Sequence, residues 1–444
     1  MLWLRIMENR RDSGLIRAVG PLALAASIIN AVIGAGIFNV PAALAAAIGP
    51  YAPWAFVVCA FAIGAVAICF AEGGSRVPTS GGAYGYITAA FGPMTGFVAG
   101  TLLYFSNVLA CGGISAALAD AVVSVLPDAL RPAAHAAVIV AAVGGIALVN
   151  LRGVALGARL INTMTLVKLI PLVLFLVVGA AAIHAANFVQ SAAQTAAEDS
   201  SGVGRALILA LFTFTGMETP ICASGEVKNP TRTIPRALLM GLLVVTVIYV
   251  GVQVVAQGIL GPALAGASVP LADAMARVGP VLRVLMLIGA AVSMFGWISS
   301  DILSSPRILF ALSRDALLPA IFGRLHAARA TPYVAILFHA ALAMGLALTG
   351  SFAELAVLST LAVAPLYIGA CAAAWYLARR RVALAGEPLS FRWLGLAAVI
   401  GTGSMVFLVG LATWKEIEGL FGLIAAALAL YFIQTRLRTA AADA

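Results

Sequence analysis

Apolar runs recur along almost the whole chain, near residues 20–47, 52–72, 84–126, 135–150, 158–183, 203–225, 235–259, 281–312, 332–349, 354–378, 392–413 and 417–435, with short polar links between them. An α-helix needs ~20 apolar residues to cross the hydrocarbon core of a bilayer, so the pattern predicts about twelve transmembrane helices. The third and eighth runs are long enough to tilt strongly or to project into the cytoplasm. The polar segment 268–279 has room for a short interfacial helix. The first run far exceeds the ~7–15 residues of a cleavable signal sequence and is expected to stay as the first helix. No linker or low-complexity tract divides the chain, which reads as a single all-α transmembrane domain.

Composition sharpens this reading. The AVILMFWYC set makes up 63% of the 444 residues and charged side chains only 10%, against about 25% charged in soluble domains. A soluble enzyme, a nucleic-acid binder and a secreted disulfide scaffold are excluded, and the lipid bilayer is the expected surroundings. The basic excess, 26 Lys and Arg against 17 Asp and Glu, follows topology. With an inside amino terminus, twenty of the 26 fall in inward segments, among them Arg5, Arg10, Arg11, Arg17, Arg76, Arg159 and Arg379 to Arg381. Arg131, Arg205, Arg277, Arg283 and Lys415 face outward, and Lys168 lies inside a span. This is the positive-inside bias, which puts both termini in the cytoplasm; a bacterial-type inner membrane is the expected location. Cys59, Cys69, Cys111, Cys222 and Cys371 show no C-x-x-C spacing, so neither disulfides nor a zinc site is expected.

Two spans carry breakers in their middle. The first reads Val32-Ile33-Gly34-Ala35-Gly36-Ile37-Phe38-Asn39-Val40-Pro41, the sixth Phe212-Thr213-Phe214-Thr215-Gly216-Met217-Glu218-Thr219-Pro220. Glycine lets the backbone unwind and proline removes a donor. At membrane depth such backbone survives only where protein buries it or a cavity receives it. If the first ten helices are two repeats of five, these two open their repeats, and a matched pair of interrupted helices points to a transporter binding site. A small-residue packing seam is the alternative reading of Gly34 and Gly36. Glu218, a carboxylate at mid-depth that costs ~2.5–3.5 kcal/mol to insert, weighs against it.

At these residues the sequence resembles the amino acid–polyamine–organocation (APC) superfamily of secondary transporters. Ile33-Gly34-Ala35-Gly36-Ile37-Phe38 is similar to its first-helix G-x-G-[IV]-F motif, and Glu72 through Arg76-Val77-Pro78 with Gly81-Gly82-Ala83-Tyr84 to its second inward loop. Glu226-Val227-Lys228-Asn229-Pro230 with Arg232 and Pro235 resembles the loop after helix six. Ser305-Pro306-Arg307, Ser313-Arg314-Asp315 and Leu318-Pro319 resemble the end of helix eight. The motifs cover about the first 320 residues. The resemblance implies a five-plus-five inverted repeat of the leucine-transporter type, here 1–183 and 203–378, with two additional helices at 392–435. It implies that a substrate carboxylate meets amides around Gly34, Ala35 and Gly36, as the exposed N–H groups of a half-helix would favour. The substrate ammonium would meet carbonyls near Val32 and Ile33, and near Phe212 and Thr215, beside Gly216. Ala35 stands where some relatives carry serine, so that hydroxyl contact is absent.

Single residues refine the expectation. Lys168, about ten residues into the fifth span, lies too deep to snorkel and needs a partner or a task. The resemblance places it where proton-coupled relatives carry a lysine in the sodium position; the alternative is a structural ammonium bonded to helix-one carbonyls. Glu218 is a candidate proton site or gate, or else a brace for the unwound backbone. Trp297 matches a helix-eight tryptophan that stacks on substrate in some exchangers, with packing as the alternative. Ser300 is expected to meet Lys168, and Asp301 to be a second partner or an inward-cavity residue. His339 and His184 read as structural or interfacial, since no carboxylate or second histidine stands at helical spacing to suggest a metal. No cofactor or metal and no enzymatic activity is expected, for want of H-E-x-x-H or G-x-S-x-G. The expected function is secondary amino acid transport by alternating access, with protons as the coupling ion, neutral substrates favoured, and uncoupled exchange or transport of polyamines or cationic amino acids as alternatives.

Overall fold

The computed structural model describes residues 20–77, 82–152, 167–188, 200–221, 227–327, 329, 331–384 and 387–442. The expectations for Arg5, Arg10, Arg11, Arg17, Pro78, Gly81, Arg159, Cys222 and Glu226 lie outside the described residues.

Helices start where a missing donor does no harm. Six begin on a proline, whose absent N–H would be unpaired in a first turn anyway. In chain order the helices are α1 (Pro21–Val32), α2 (Gly36–Ile48), α3 (Ala52–Arg76), α4 (Gly82–Phe91), α5 (Pro93–Val123), α6 (Arg131–Arg152), α7 (Leu169–Ala180), α8 (Ser200–Phe212) and α9 (Glu218–Ile221). They continue with α10 (Pro230–Leu260), α11 (Pro270–Ala276), α12 (Pro280–Ser304), α13 (Pro306–Arg314), α14 (Tyr333–Thr349), α15 (Phe352–Arg379), α16 (Leu394–Gly410) and α17 (Trp414–Ala442). There is no β-strand among the described residues. Seven stretches are long and apolar enough to cross a bilayer, and five shorter apolar helices accompany them.

Two expectations about the runs change. The third is not one tilted helix: Gly92, at φ 91°, ends α4, and Pro93 opens α5 in a new direction. The eighth does continue past one crossing, from α12 through Ser305 into α13. The short helix foreseen in 268–279 is α11.

Helix α5 is the central post. In its most apolar window 89% of residues are buried, against 11% for the peripheral α17. It packs on α12, α14 and α15, while α3 packs on α10, α15 and α16 and α10 also holds α1. Leu22, Phe61, Val177, Leu243, Val399 and Phe421 point outward and exposed, an apolar exterior suited to acyl chains and foreign to a soluble protein. The end of α3 is fastened by the buried pair Glu72–Arg76, 2.6 Å apart. Arg76 also donates to the Val382 carbonyl at 3.2 Å, and Glu72 accepts the Phe391 amide at 2.9 Å. The segment after α15 is thereby clamped to α3.

Candidate functional site

The break between α1 and α2 frees backbone groups on both sides. Ile33 turns extended, at ψ 97°, so the last carbonyls of α1 lose their helical partners. Side chains from three other elements take them. The Lys168 ammonium, fully buried at the start of α7, donates to the Asn30 carbonyl and, at 2.7 Å, to that of Ile33. Trp297 Nε1 on α12 donates to Ala31 at 2.8 Å. The Tyr249 hydroxyl on α10 lies 3.0 Å from the Val32 carbonyl. The amides of Gly34, Ala35 and Gly36 make no hydrogen bond among the described residues. The indole of Trp297 rests on Gly34 so closely that a Cβ there would meet Cδ1 at 3.0 Å.

The second break is built differently. After Phe212 the chain tightens into three-residue turns, Phe214 to Leu211 and Thr215 to Phe212, and then reverses at Gly216. That residue has φ 105°, and a Cβ on it would lie 2.8 Å from the Ala31 carbonyl. Only glycine fits both demands. Glu218 reaches back over the turn: its two oxygens accept the Gly216 N–H at 3.2 and 3.1 Å, and one also accepts the Tyr367 hydroxyl at 2.8 Å. Tyr249 ties the breaks together, since its hydroxyl is also 2.9 Å from the Thr213 carbonyl.

Between the breaks and α5, α12 and α15 lies a cavity with ≈ 400 Å³ of space, its open mouth included. Ala31, Ala110, Thr215, Gly216, Trp297, Ser106, Ser300, Ser304 and Ser359 line it with Glu218 and Asp301, and among the described residues no lysine, arginine or histidine does. Behind its wall, Asp301 pairs with His339 Nε2 on α14 at 2.9 Å and accepts the Ser305 hydroxyl. Asn107 donates to that same hydroxyl oxygen at 3.0 Å. The Cys111 sulfur stands with the Asp301 and His339 ligand atoms within a 4.8 Å group.

The expected residues are thus gathered, with corrections. Thr215, Gly216, Glu218, Trp297 and Ser300 share the cavity. Val32, Ile33, Gly34, Ala35 and Gly36 lie beside it, and Trp297 covers Gly34. The carbonyls near Val32 and Ile33 are already occupied, and that of Phe212 accepts both the N–H and the hydroxyl of Thr215. Lys168 bonds to helix-one carbonyls and not to Ser300. His339 is not without a carboxylate: its partner is 38 positions back, on another helix, where no local spacing reveals it. Tyr249 and Tyr367 escaped notice too, although a lone tyrosine inside an apolar run was a usable signal, because a buried hydroxyl needs a partner.

Comparison with known proteins identifies a family. Residues 19–433 match the family model described as amino acid permease. The chain is 28% identical to the branched-chain amino acid permease BcaP of Bacillus subtilis, over 97% of this chain and 96% of that protein. It is 27% identical to the serine/threonine exchanger SteT of the same organism, over 84% and 86% of the two chains. It is also 27% identical to the chloroplastic cationic amino acid transporter 9 of Arabidopsis thaliana, over 72% of this chain and 59% of that one.

Proposed function

The chain belongs to the amino acid permease family of the APC superfamily, a family of multi-pass membrane transporters and not of enzymes, and on that premise we propose that it carries amino acids by alternating access in symport with protons. In this reading twelve spans form two inverted repeats, 1–183 and 203–378, followed by two further helices at 392–435, with both termini in the cytoplasm of a bacterial-type inner membrane. The zwitterion bridges the breaks: its carboxylate takes the unpaired amides of Gly34, Ala35 and Gly36, and its ammonium takes the second lone pairs of the Val32 and Ile33 carbonyls, whose first ones Tyr249 and Lys168 hold. Trp297, whose nitrogen holds the Ala31 carbonyl while its ring covers Gly34, has to swing aside for substrate.

The observation that supports proton coupling is the full burial of the Lys168 ammonium inside a span, where it meets the carbonyls of Asn30 and Ile33. A charged ammonium offers three donors and fastens the end of α1 to α7. Loss of its proton weakens that fastening, and α1 is then released relative to α2. Glu218 keeps the second break in shape through Gly216 and Tyr367. Proteoliposomes loaded with buffer and given radiolabelled amino acids, with and without an inward proton gradient, test this: gradient-driven accumulation supports symport, and uptake that needs internal amino acid and ignores the gradient overturns it. That second outcome is uncoupled exchange, a reading favoured by the position of Lys168 off the cavity wall, where it serves as a permanent brace.

A further inference from the structure

We infer that Asp301 is a subsite for the distal cationic group of a dibasic amino acid, held in place by His339 and Ser305; this rests on the amino acid transport reading above. Two carboxylates, Glu218 and Asp301, line the same cavity, and among the described residues no cationic side chain lines it. Their situations differ. Both oxygens of Glu218 are engaged by the Gly216 amide, and Tyr367 adds a further bond, so this group is spent on the protein's own backbone. An ionised carboxylate has about four lone-pair positions. At Asp301 one oxygen takes the Ser305 hydroxyl and the other takes His339, the Cys111 thiol also hydrogen-bonds to the carboxylate, and with about one lone-pair position left the residue lines the cavity.

The histidine does not cancel the charge. His339 is fully buried, and its Nδ1 has no hydrogen-bond partner. An imidazolium there would bury an unpaired N–H carrying positive charge, whereas the neutral ring with its proton on Nε2 donates to Asp301 and leaves only a bare lone pair. The geometry therefore fits a neutral donor orienting an anion. No lysine or arginine forms an ion pair with Asp301 among the described residues, and a carboxylate at membrane depth without such a partner is costly. Asp301 sits one helical turn beyond Trp297 on α12, away from the first-helix break where the zwitterion docks. An ammonium or guanidinium on a flexible side chain fits that offset and supplies the missing charge. With Asp301 placed so, dibasic substrates are favoured over the neutral ones expected from the sequence.

The test is uptake by proteoliposomes of the wild-type protein, comparing arginine with citrulline, which replaces the guanidinium by an uncharged urea of the same shape, and lysine with norleucine. The expected result is a preference of ~10-fold or more in kcat/KM for the charged member of each pair. Asp301→Asn should bring the arginine-to-citrulline ratio near unity with citrulline uptake retained. His339→Gln, which keeps a donor, should retain most of the ratio, and His339→Leu should lower it. Equal uptake of arginine and citrulline by the wild type overturns the inference and leaves amino acid transport standing. An unchanged ratio in Asp301→Asn overturns it as well. Failure of all twenty amino acids to be carried would sink the transport reading itself.

Discussion

Replacing Tyr249 by phenylalanine removes one oxygen atom from the place where the two broken helices meet. The ring should stay where it is, since it packs against Phe56 and Phe214 with centroids 5.7 and 5.2 Å away. What disappears is the hydroxyl 3.0 Å from the Val32 carbonyl and 2.9 Å from that of Thr213. A single O–H donates to one carbonyl at a time, so one hydrogen bond is lost and one buried acceptor loses its only side-chain partner. That asymmetry, an acceptor left unpaired rather than a bond exchanged with water, sets the expected loss at ~1–3 kcal/mol. Equilibrium unfolding in mixed detergent micelles would read it, with Tyr249→Ala alongside to separate hydroxyl from ring. Transport should suffer as well, with KM raised because the spacing of the two halves of the zwitterion site is no longer fixed. A Tyr249→Phe protein within ~0.5 kcal/mol of wild type, and with unchanged KM, would refute the view that this hydroxyl stitches the breaks together.

Gly216→Ala places a methyl at φ 105° and 2.8 Å from the Ala31 carbonyl; a loss of at least ~1–3 kcal/mol and of uptake is expected, measurable by thermal stability and flux. Gly34→Ala pushes on the Trp297 ring, which a Cβ would meet at 3.0 Å, and should shift tryptophan fluorescence and lower substrate affinity while leaving the fold intact. Glu218→Gln replaces one of the two oxygens facing the Gly216 amide by a donor, and should cost ~1–3 kcal/mol in stability, whereas Tyr367→Phe should cost less. Arg76→Met strands the buried Glu72 carboxylate and should destabilise by ~3–5 kcal/mol, with partial recovery in the double variant Glu72→Leu, Arg76→Met.

The parts legible in the sequence are those whose signal is local. Gly34 and Gly36, followed by Pro41, and Gly216, beside Glu218, marked the breaks because each stands in mid-span near a second residue that an ordinary lipid-facing helix does not favour, and Lys168 stood out as a cation deep inside a span. Its bonding to helix-one carbonyls was one of two readings open from the residues, and the structure contains those bonds. What local pattern did not reveal is pairing between helices. Asp301 and His339 lie 38 positions apart, and Tyr249 serves carbonyls 217 and 36 positions away. Nothing in the spacing of either tyrosine or histidine encodes those meetings, which the packing of α5, α10, α12 and α14 decides. The split at Gly92 was lost for a different reason, because an unbroken apolar run hides a single positive-φ residue followed by proline.

The central claim is that proton movement passes through Lys168. Proteoliposomes carrying an internal pH dye, assayed with an amino acid that the wild type transports, test it most directly when wild type and Lys168→Ala are compared with a radiolabel exchange assay in parallel. The account predicts substrate-dependent acidification in the wild type and, in the variant, exchange without acidification. Exchange with no proton flux in either protein would contradict it and leave Lys168 as a brace for the broken first helix.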